Sequence, residues 1–97
     1  MGGVAPPTRE PVPACIHPRT FKYFFPRDTV KTLWERLAAR YGNLKMNGAF
    51  RMMEIEAERF FLRSVIGGNP ITVIRKRACT DADIDELHAL FGYEGAP

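Results

Sequence analysis

The stretch RLAARYGNLKMNG at residues 36–48, followed by FLRSVI at 61–66 and RKRACTDADI at 75–84, decides how this chain is interpreted. These segments place apolar residues at three- and four-residue steps, interrupted by two short basic segments. Such spacing is typical of helices with one buried face. Read in order, the segments predict a short helix, a basic loop, a long helix, a second basic loop and a short capped helix.

The first two helices follow from turn residues and periodicity. Asp28 or Thr29 can cap a first helix that ends near Tyr41, where Gly42 stops it. A long second helix follows the basic loop 43–47. Its apolar stripe comprises Phe50, Met53, Ala57, Phe60, Phe61, Ser64 and Val65. Other apolar residues widen this stripe, so we expect a partner chain to cover part of the helix.

A break and a capped helix complete the chain. The residues Gly67–Pro70 interrupt the long helix, and the segment 71–75 can resume as helix or as extended chain; we favour helix. Thr80 and Asp83 have the spacing of a capping box, which predicts a third helix over 81–91.

The N-terminal region has a different composition. Six of the eight prolines precede residue 27, so regular helix is not expected before Asp28. We predict a mobile tail over residues 1–14. The apolar segment FKYFF at 21–25 is predicted to dock as a short extended or helical arm, either on this chain's own core or on a partner.

Length and charge limit the possible classes of protein. A chain of 97 residues forms at most one small domain, so a dimer that supplies more core is expected. Residues 1–77 carry a net charge of +8 and residues 78–97 carry −5, for a total of +3. A basic body with an acidic end suits a polyanion on one side and a protein on the other. No transmembrane or secretory segment is predicted, so we expect an intracellular protein, or one carried in a particle made in a cell.

A catalytic interpretation has little support in the sequence. Cys15 and His17 lie in the Pro-rich tail, which cannot hold a nucleophile and a base in fixed geometry. His88 lies on an apolar helical stripe and is predicted to be a packed side chain. We predict no enzyme, no metal site and no cofactor.

The order of the elements and the three quoted segments resemble the eukaryotic core histone H-four. From Leu37 to Ile66 the two spacings match without a gap, and the likeness extends over residues 28–92. The resemblance implies an all-α histone fold, in which a short, a long central and a short helix form a handshake dimer with a second histone-fold chain. Residues 1–27 would then be a tail and arm, 28–92 the histone-fold domain and 93–97 a short C-terminal tail.

The chain also departs from the histone pattern. Its tail is Pro-rich and has no lysine before Lys22, and its second helix is about two residues short near Gly67–Pro70. Lys45 stands where the family has an arginine that enters the minor groove. Such divergence resembles the histones encoded by large DNA viruses, which implies a location in the nucleus, in viral chromatin or in the virion.

The resemblance also implies which residues bind. DNA phosphates and the minor groove would be contacted by Lys31, Arg36, Arg40, Lys45, Arg75, Lys76 and Arg77. The partner chain would be contacted by Phe50, Met53, Phe60, Phe61, Val65, Leu87 and Phe91. Lys76 is expected to form an internal salt bridge with Asp83.

The leading hypothesis is a core-histone-like protein that packages double-stranded DNA without sequence specificity. It would pair with an H-three-like histone and join H-two-A- and H-two-B-like histones in a nucleosome-like particle. The alternative is a histone-fold interaction subunit of a transcription-type complex that does not wrap DNA. A third possibility is an H-three-like chain in which the aromatic arm is an extra N-terminal helix.

Overall fold

The computed structural model describes residues 6–13, 20–42, 44–49 and 51–97. These residues form a six-stranded antiparallel sheet with two helices packed on one of its faces. The elements in chain order are β1 (Thr8–Pro11), β2 (Phe21–Phe24), α1 (Arg27–Tyr41), β3 (Leu44–Asn47), β4 (Met52–Glu56), β5 (Phe60–Val65), β6 (Ile71–Arg75) and α2 (Asp81–Phe91). The order across the sheet is β1-β2-β6-β5-β4-β3, so β2 lies beside the last strand in the chain.

The predicted all-α histone fold is wrong. The region predicted as the long central helix and its continuation consists of the three strands β4, β5 and β6. Along β5, Phe60 and Leu62 are buried, whereas Arg63 and Val65 are exposed, as expected for successive side chains on opposite faces of a sheet. The apolar residues of this region fit both a helical and a two-residue period, and the sheet satisfies the second. A handshake dimer of histone folds is therefore excluded as well.

Three further predictions are corrected in the same way. The basic loop 43–47 contains strand β3, and the segment 71–75, for which helix was favoured, is strand β6. The mobile tail predicted over 1–14 includes strand β1, while residues 1–5 and 14 lie outside the described residues. The aromatic arm, by contrast, agrees with one of its two predicted alternatives: it is the extended strand β2, and its Tyr23 and Phe25 are buried in this chain's own core.

The two terminal helices of the prediction are confirmed as helices. Helix α1 ends at Tyr41, and the N–H of Gly42 donates to the C=O of Ala38. Helix α2 begins after a capping box, because the Thr80 hydroxyl accepts from the N–H of Asp83 and the Asp83 carboxylate accepts from the N–H of Thr80. These reciprocal bonds satisfy amide groups that no intrahelical carbonyl reaches.

The core lies between the helices and the inner face of the sheet. Both helices turn their apolar stripes toward β2, β4, β5 and β6, and one continuous cluster results. Its buried residues are Tyr23, Phe25, Val30, Leu33, Trp34, Leu37, Met53, Ile55, Ala57, Phe60, Leu62, Ile71, Val73, Ile84, Leu87 and Phe91. The opposite face of the sheet takes no part in this core.

The connection between β5 and β6 ties the sheet to the start of α1. The Asn69 amide accepts from the N–H of Phe25 at 3.0 Å and donates to its C=O at 2.8 Å, as a strand residue would. The indole N–H of Trp34 donates to the C=O of Gly68 at 2.9 Å. The structural break that the sequence predicted at Gly67–Pro70 corresponds to the β-hairpin connection between β5 and β6.

We predict that Gly68→Ala destabilises the fold more than Gly67→Ala. Both glycines have positive φ, so alanine is strained at each, but a Cβ at Gly68 would lie 2.5 Å from Nε1 of Trp34, whereas none of the described atoms is within 4 Å at Gly67. The clash should add about 1 to 3 kcal/mol to the cost. Urea unfolding of both variants measures the difference, and equal losses would refute the Trp34–Gly68 contact.

Candidate functional site

The sheet face opposite the helices is rich in apolar side chains. Strand register and pleat place ten residues of the four central strands on this face. They are Lys22, Phe24, Met52, Glu54, Glu56, Phe61, Arg63, Val65, Thr72 and Ile74. Half of them are large and apolar, whereas a solvated face of an antiparallel sheet is usually polar. We call this surface the open face.

A row of five charged residues and one threonine crosses the open face. The strand registers align it from edge to edge as Glu10, Lys22, Thr72, Arg63, Glu54 and Lys45. Neighbouring strands lie about 4.8 Å apart, so the three cations follow one another at about 10 Å. Arg63 Nε is 3.4 Å from a Glu54 carboxylate oxygen, whereas Lys22 and Lys45 are exposed and form no ion pair with a described residue.

Two phenylalanines flank this row. Phe61 lies opposite Ile74 on the neighbouring strand, and the guanidinium carbon of Arg63 is 5.2 Å from the centroid of its ring. Phe24 lies two residues beyond Lys22 on the same side of β2. Both phenylalanines are half-buried. The open face therefore presents aromatic rings beside positive charges, an arrangement that can stack planar groups and hold anions at their margins.

The structure does not bring the seven predicted DNA-binding residues together. Lys31, Arg36 and Arg40 lie on α1, on the helix side of the molecule, and Arg40 pairs with Glu86 at 2.6 Å. Lys45 lies on the open face, and Lys76 reaches this face through its ion pair with Glu56.

The remaining members of the set lie at the end of β6 and directly after it. Arg75 is opposite Phe60 on the inner side and lies 3.8 Å from Asp81, whereas Arg77 is exposed after the end of β6. Lys76 Nζ lies 3.1 Å from Glu56, so Lys76 pairs with Glu56 rather than with Asp83, which caps α2.

The residues predicted to form the partner interface also lie in different parts of the structure. Met53, Phe60, Leu87 and Phe91 are buried in the core of this chain, so they cannot form a surface for a second subunit. Phe61 and Val65 point to the open face. Phe50 lies outside the described residues.

Sequence reasoning missed Lys22, Phe24 and Arg63 as site residues. A signal for them existed, since Lys22 and Phe24 alternate with buried aromatics along β2, and Arg63 separates apolar residues along β5. A period of two would have placed each of them on the side of its own strand opposite the buried residues, but not on one shared surface.

A second polar cluster lies inside the core. The hydroxyl of Tyr23 and Nε2 of His88 are hydrogen-bonded at 2.7 Å, and the rings of Phe91 and Tyr93 contact Tyr23. His88 is only 3% exposed, which confirms the predicted packed histidine. Burial lowers the pKa of His88, and the nearby charge of Arg9 lowers it further. The cluster holds β2 to α2.

Among the described residues, no group of three or more His, Cys, Asp and Glu side chains is placed to hold a metal ion. Neither of the helices in the described part of the chain is long and apolar enough to cross a membrane. Cys15 and His17 lie outside the described residues.

Comparisons with protein-family models, with curated proteins and with solved structures each find no match to this chain. The resemblance to core histones therefore stays a hypothesis from the sequence, and the fold that it implied is wrong.

We predict that His88 makes the fold less stable at mildly acidic pH. Its pKa is lowered in the folded chain, so the unfolded chain binds more protons as pH falls below about 6.5. Stability should fall from there and level off below the folded pKa. Urea unfolding at several pH values measures this loss. His88→Gln should remove most of it, whereas His17→Gln should not; an unchanged pH profile in His88→Gln would contradict the assignment.

Proposed function

We propose that this chain is a non-catalytic protein that binds single-stranded nucleic acid on the open face, without reading base sequence. The observation that carries the proposal is the apolar and aromatic composition of a sheet face on which neither helix packs. Cations at Lys22, Arg63 and Lys45 accompany the rings. Aromatic side chains accept any base by stacking, because every base has a π-face.

The shape of the surface favours single strands over duplexes. In a duplex the base faces are already stacked on one another, whereas the bases of a single strand can be splayed onto a flat protein surface. Phe61 and Phe24 would provide stacking positions, and Ile74 lies beside Phe61 to extend the apolar area. Lys22 and Lys45 would contact phosphates at the margins of this area.

The charge distribution supports a polyanion on this side. The acidic excess of residues 78–97 lies largely on α2, which packs against the inner face of the sheet. On the open face, Glu54 and Glu56 are each paired with a cation, Arg63 and Lys76. Lys22 and Lys45 are the exposed cations of the open face that form no ion pair with a described residue. Elsewhere, such cations include Arg27, Lys31 and Arg36 on α1, and Arg51 and Arg77. Long-range attraction of a nucleic acid is therefore expected at low salt.

Nucleic-acid binding was also the hypothesis from the sequence, but most of the residues now proposed to bind are different. Wrapping of duplex DNA with H-three-, H-two-A- and H-two-B-like partners depended on the histone fold. Because the chain folds as a sheet with two helices, we do not propose that assembly.

We predict that Phe61→Ala and Lys22→Ala both weaken binding of a fluorescently labelled oligo-dT strand, measured by anisotropy at low salt. Loss of one stacking platform should cost about 1 to 3 kcal/mol, which is roughly a 5- to 150-fold loss of affinity. Lys22→Ala should reduce the slope of log affinity against log salt by somewhat less than one unit. The duplex of the same length should bind more weakly than the single strand.

The matched control is Arg36→Ala, which removes one exposed cation from α1 on the helix side. It should change the affinity much less than Lys22→Ala. Equal effects of the two charge removals, or an unaffected Phe61→Ala variant, would show that the open face is not the site.

A protein-binding role is the second candidate. It is favoured by Val65, which is 53% exposed on the open face, and by the neighbouring Ile66 at 44%. Exposed apolar side chains of this size are typical of protein interfaces. If the unmodified chain binds neither the single strand nor the duplex, this second function replaces the first.

A further inference from the structure

The two edges of the sheet differ in how they are protected. The edge strand β1 contains Pro11, and its inward-facing Arg9 donates to the C=O of Ala96 at 2.8 Å. Proline, inward charges and covering chain are the usual devices that prevent edge-to-edge pairing. The other edge strand, β3, has the sequence LKMN. It contains no proline and no inward-facing charge, since Lys45 points to the open face, and no described segment covers it.

The hydrogen-bond pattern shows which backbone groups β3 presents. In an antiparallel ladder, the backbone groups of successive residues point to opposite sides of the strand. Two bonds at the ends of β4 join it to the β5 segment: the N–H of Ile66 donates to the C=O of Arg51 at 2.7 Å, and the N–H of Ala57 donates to the C=O of Phe60 at 2.9 Å. Odd-numbered residues of this segment therefore face β5, and the even-numbered residues of β4 face β3.

The register carries this alternation into β3. Lys45 is opposite Glu54, an even-numbered residue, so Lys45 and also Asn47 turn their N–H and C=O groups toward β4. Leu44 and Met46 then point theirs to the free side of the strand. Their side chains, 37% and 61% exposed, lie on the helix side of the sheet. The free side of β3 thus combines outward backbone groups with exposed apolar side chains.

We propose that two copies of this chain associate by antiparallel pairing of β3 with β3, centred on Met46, to form one continuous twelve-stranded sheet. The two-fold axis of such a pair is perpendicular to the sheet, so both copies keep their helices on the same side. The open faces then form one continuous surface. This inference does not depend on nucleic-acid binding.

Charge selects the register. A pair centred on Lys45 would place two ammonium groups directly opposite each other, which is destabilising. A pair centred on Met46 places Lys45 opposite the polar, uncharged Asn47 of the second copy. It also makes Met46 a hydrogen-bonded pair with itself, because its N–H and C=O groups point outward. The C=O of Gly48 accepts from the N–H of Arg51 within the turn that follows β3, so the backbone bonds of the pair are centred on Met46.

A second copy of this chain fits the free edge because β3 is complementary to itself. An incoming strand must present backbone groups in the same alternation and apolar side chains on the helix side. The β3 strand of another copy presents both, since Met46 meets Met46 there. The small size of the chain, 97 residues, also favours association that buries more apolar surface.

The register is tested with single-cysteine variants in the full chain, after Cys15 and Cys79 are replaced by serine. In the proposed dimer the two Met46 Cα atoms are about 5.5 Å apart, within the range of a disulfide. The two Lys45 Cα atoms are about 8 Å apart, beyond that range. Mild oxidation should therefore cross-link Met46→Cys efficiently and Lys45→Cys poorly. Stronger cross-linking of Lys45→Cys would overturn the register.

The association itself is tested by light scattering of the cysteine-intact chain. The expected mass is twice the 11.0 kDa of one chain. Met46→Lys should give monomers, because it brings two charges together at the axis, whereas Val65→Lys, an equal change at an exposed site away from β3, should leave the dimer intact. Circular dichroism verifies that both variants fold. A monomeric unmodified chain, or a Met46→Lys variant that stays dimeric, would refute the proposal.

Discussion

The packing of β2 under α2 is the contact on which the rest of this structure depends. Tyr23 and Phe25 are buried against Phe91, and the Tyr23–His88 hydrogen bond joins residues 65 positions apart in the chain. This contact places β2 beside β6 and lets the Asn69 amide complete the pairing at Phe25. Because both helices are then held on one side, the other side of the sheet stays open, and β3 becomes an edge.

The open face and the β3 edge follow from the same geometry. Antiparallel strands place successive side chains on opposite faces, so each strand that contributes to the core also contributes to the open face. Phe61 lies there because its neighbours Phe60 and Leu62 are needed inside. Sixteen buried apolar residues among those described, from the inner face of the sheet and from both helices, form the core. Lys22, Arg63 and the apolar side chains of the open face are not part of it and remain available for binding.

The interpretation of the central region as helix failed for a physical reason. Residues such as Phe60, Phe61, Ser64 and Val65 recur at three- and four-residue steps, yet the same stretch also alternates with a period of two. Short apolar runs fit both periods, and the outcome depends on which partners are available. The resemblance to histones led us to predict helix here. The aromatic and β-branched residues of 60–74, which are enriched in strands, favoured a sheet instead.

The sequence by itself determined the local features whose causes are local. It located α2 with its Thr80–Asp83 capping box, the end of α1 at Gly42, the break at Gly67–Pro70 and the packed His88, because caps, glycines and a helical stripe act within a few residues. Only the tertiary structure decided which face each strand residue takes and which cations pair, because both depend on strands distant in the sequence. Lys76, which follows β6, pairs with Glu56 of β4 on the far side of β5, and Lys22 shares a row with Arg63 through β6. No spacing along the chain could therefore have assigned them to one surface.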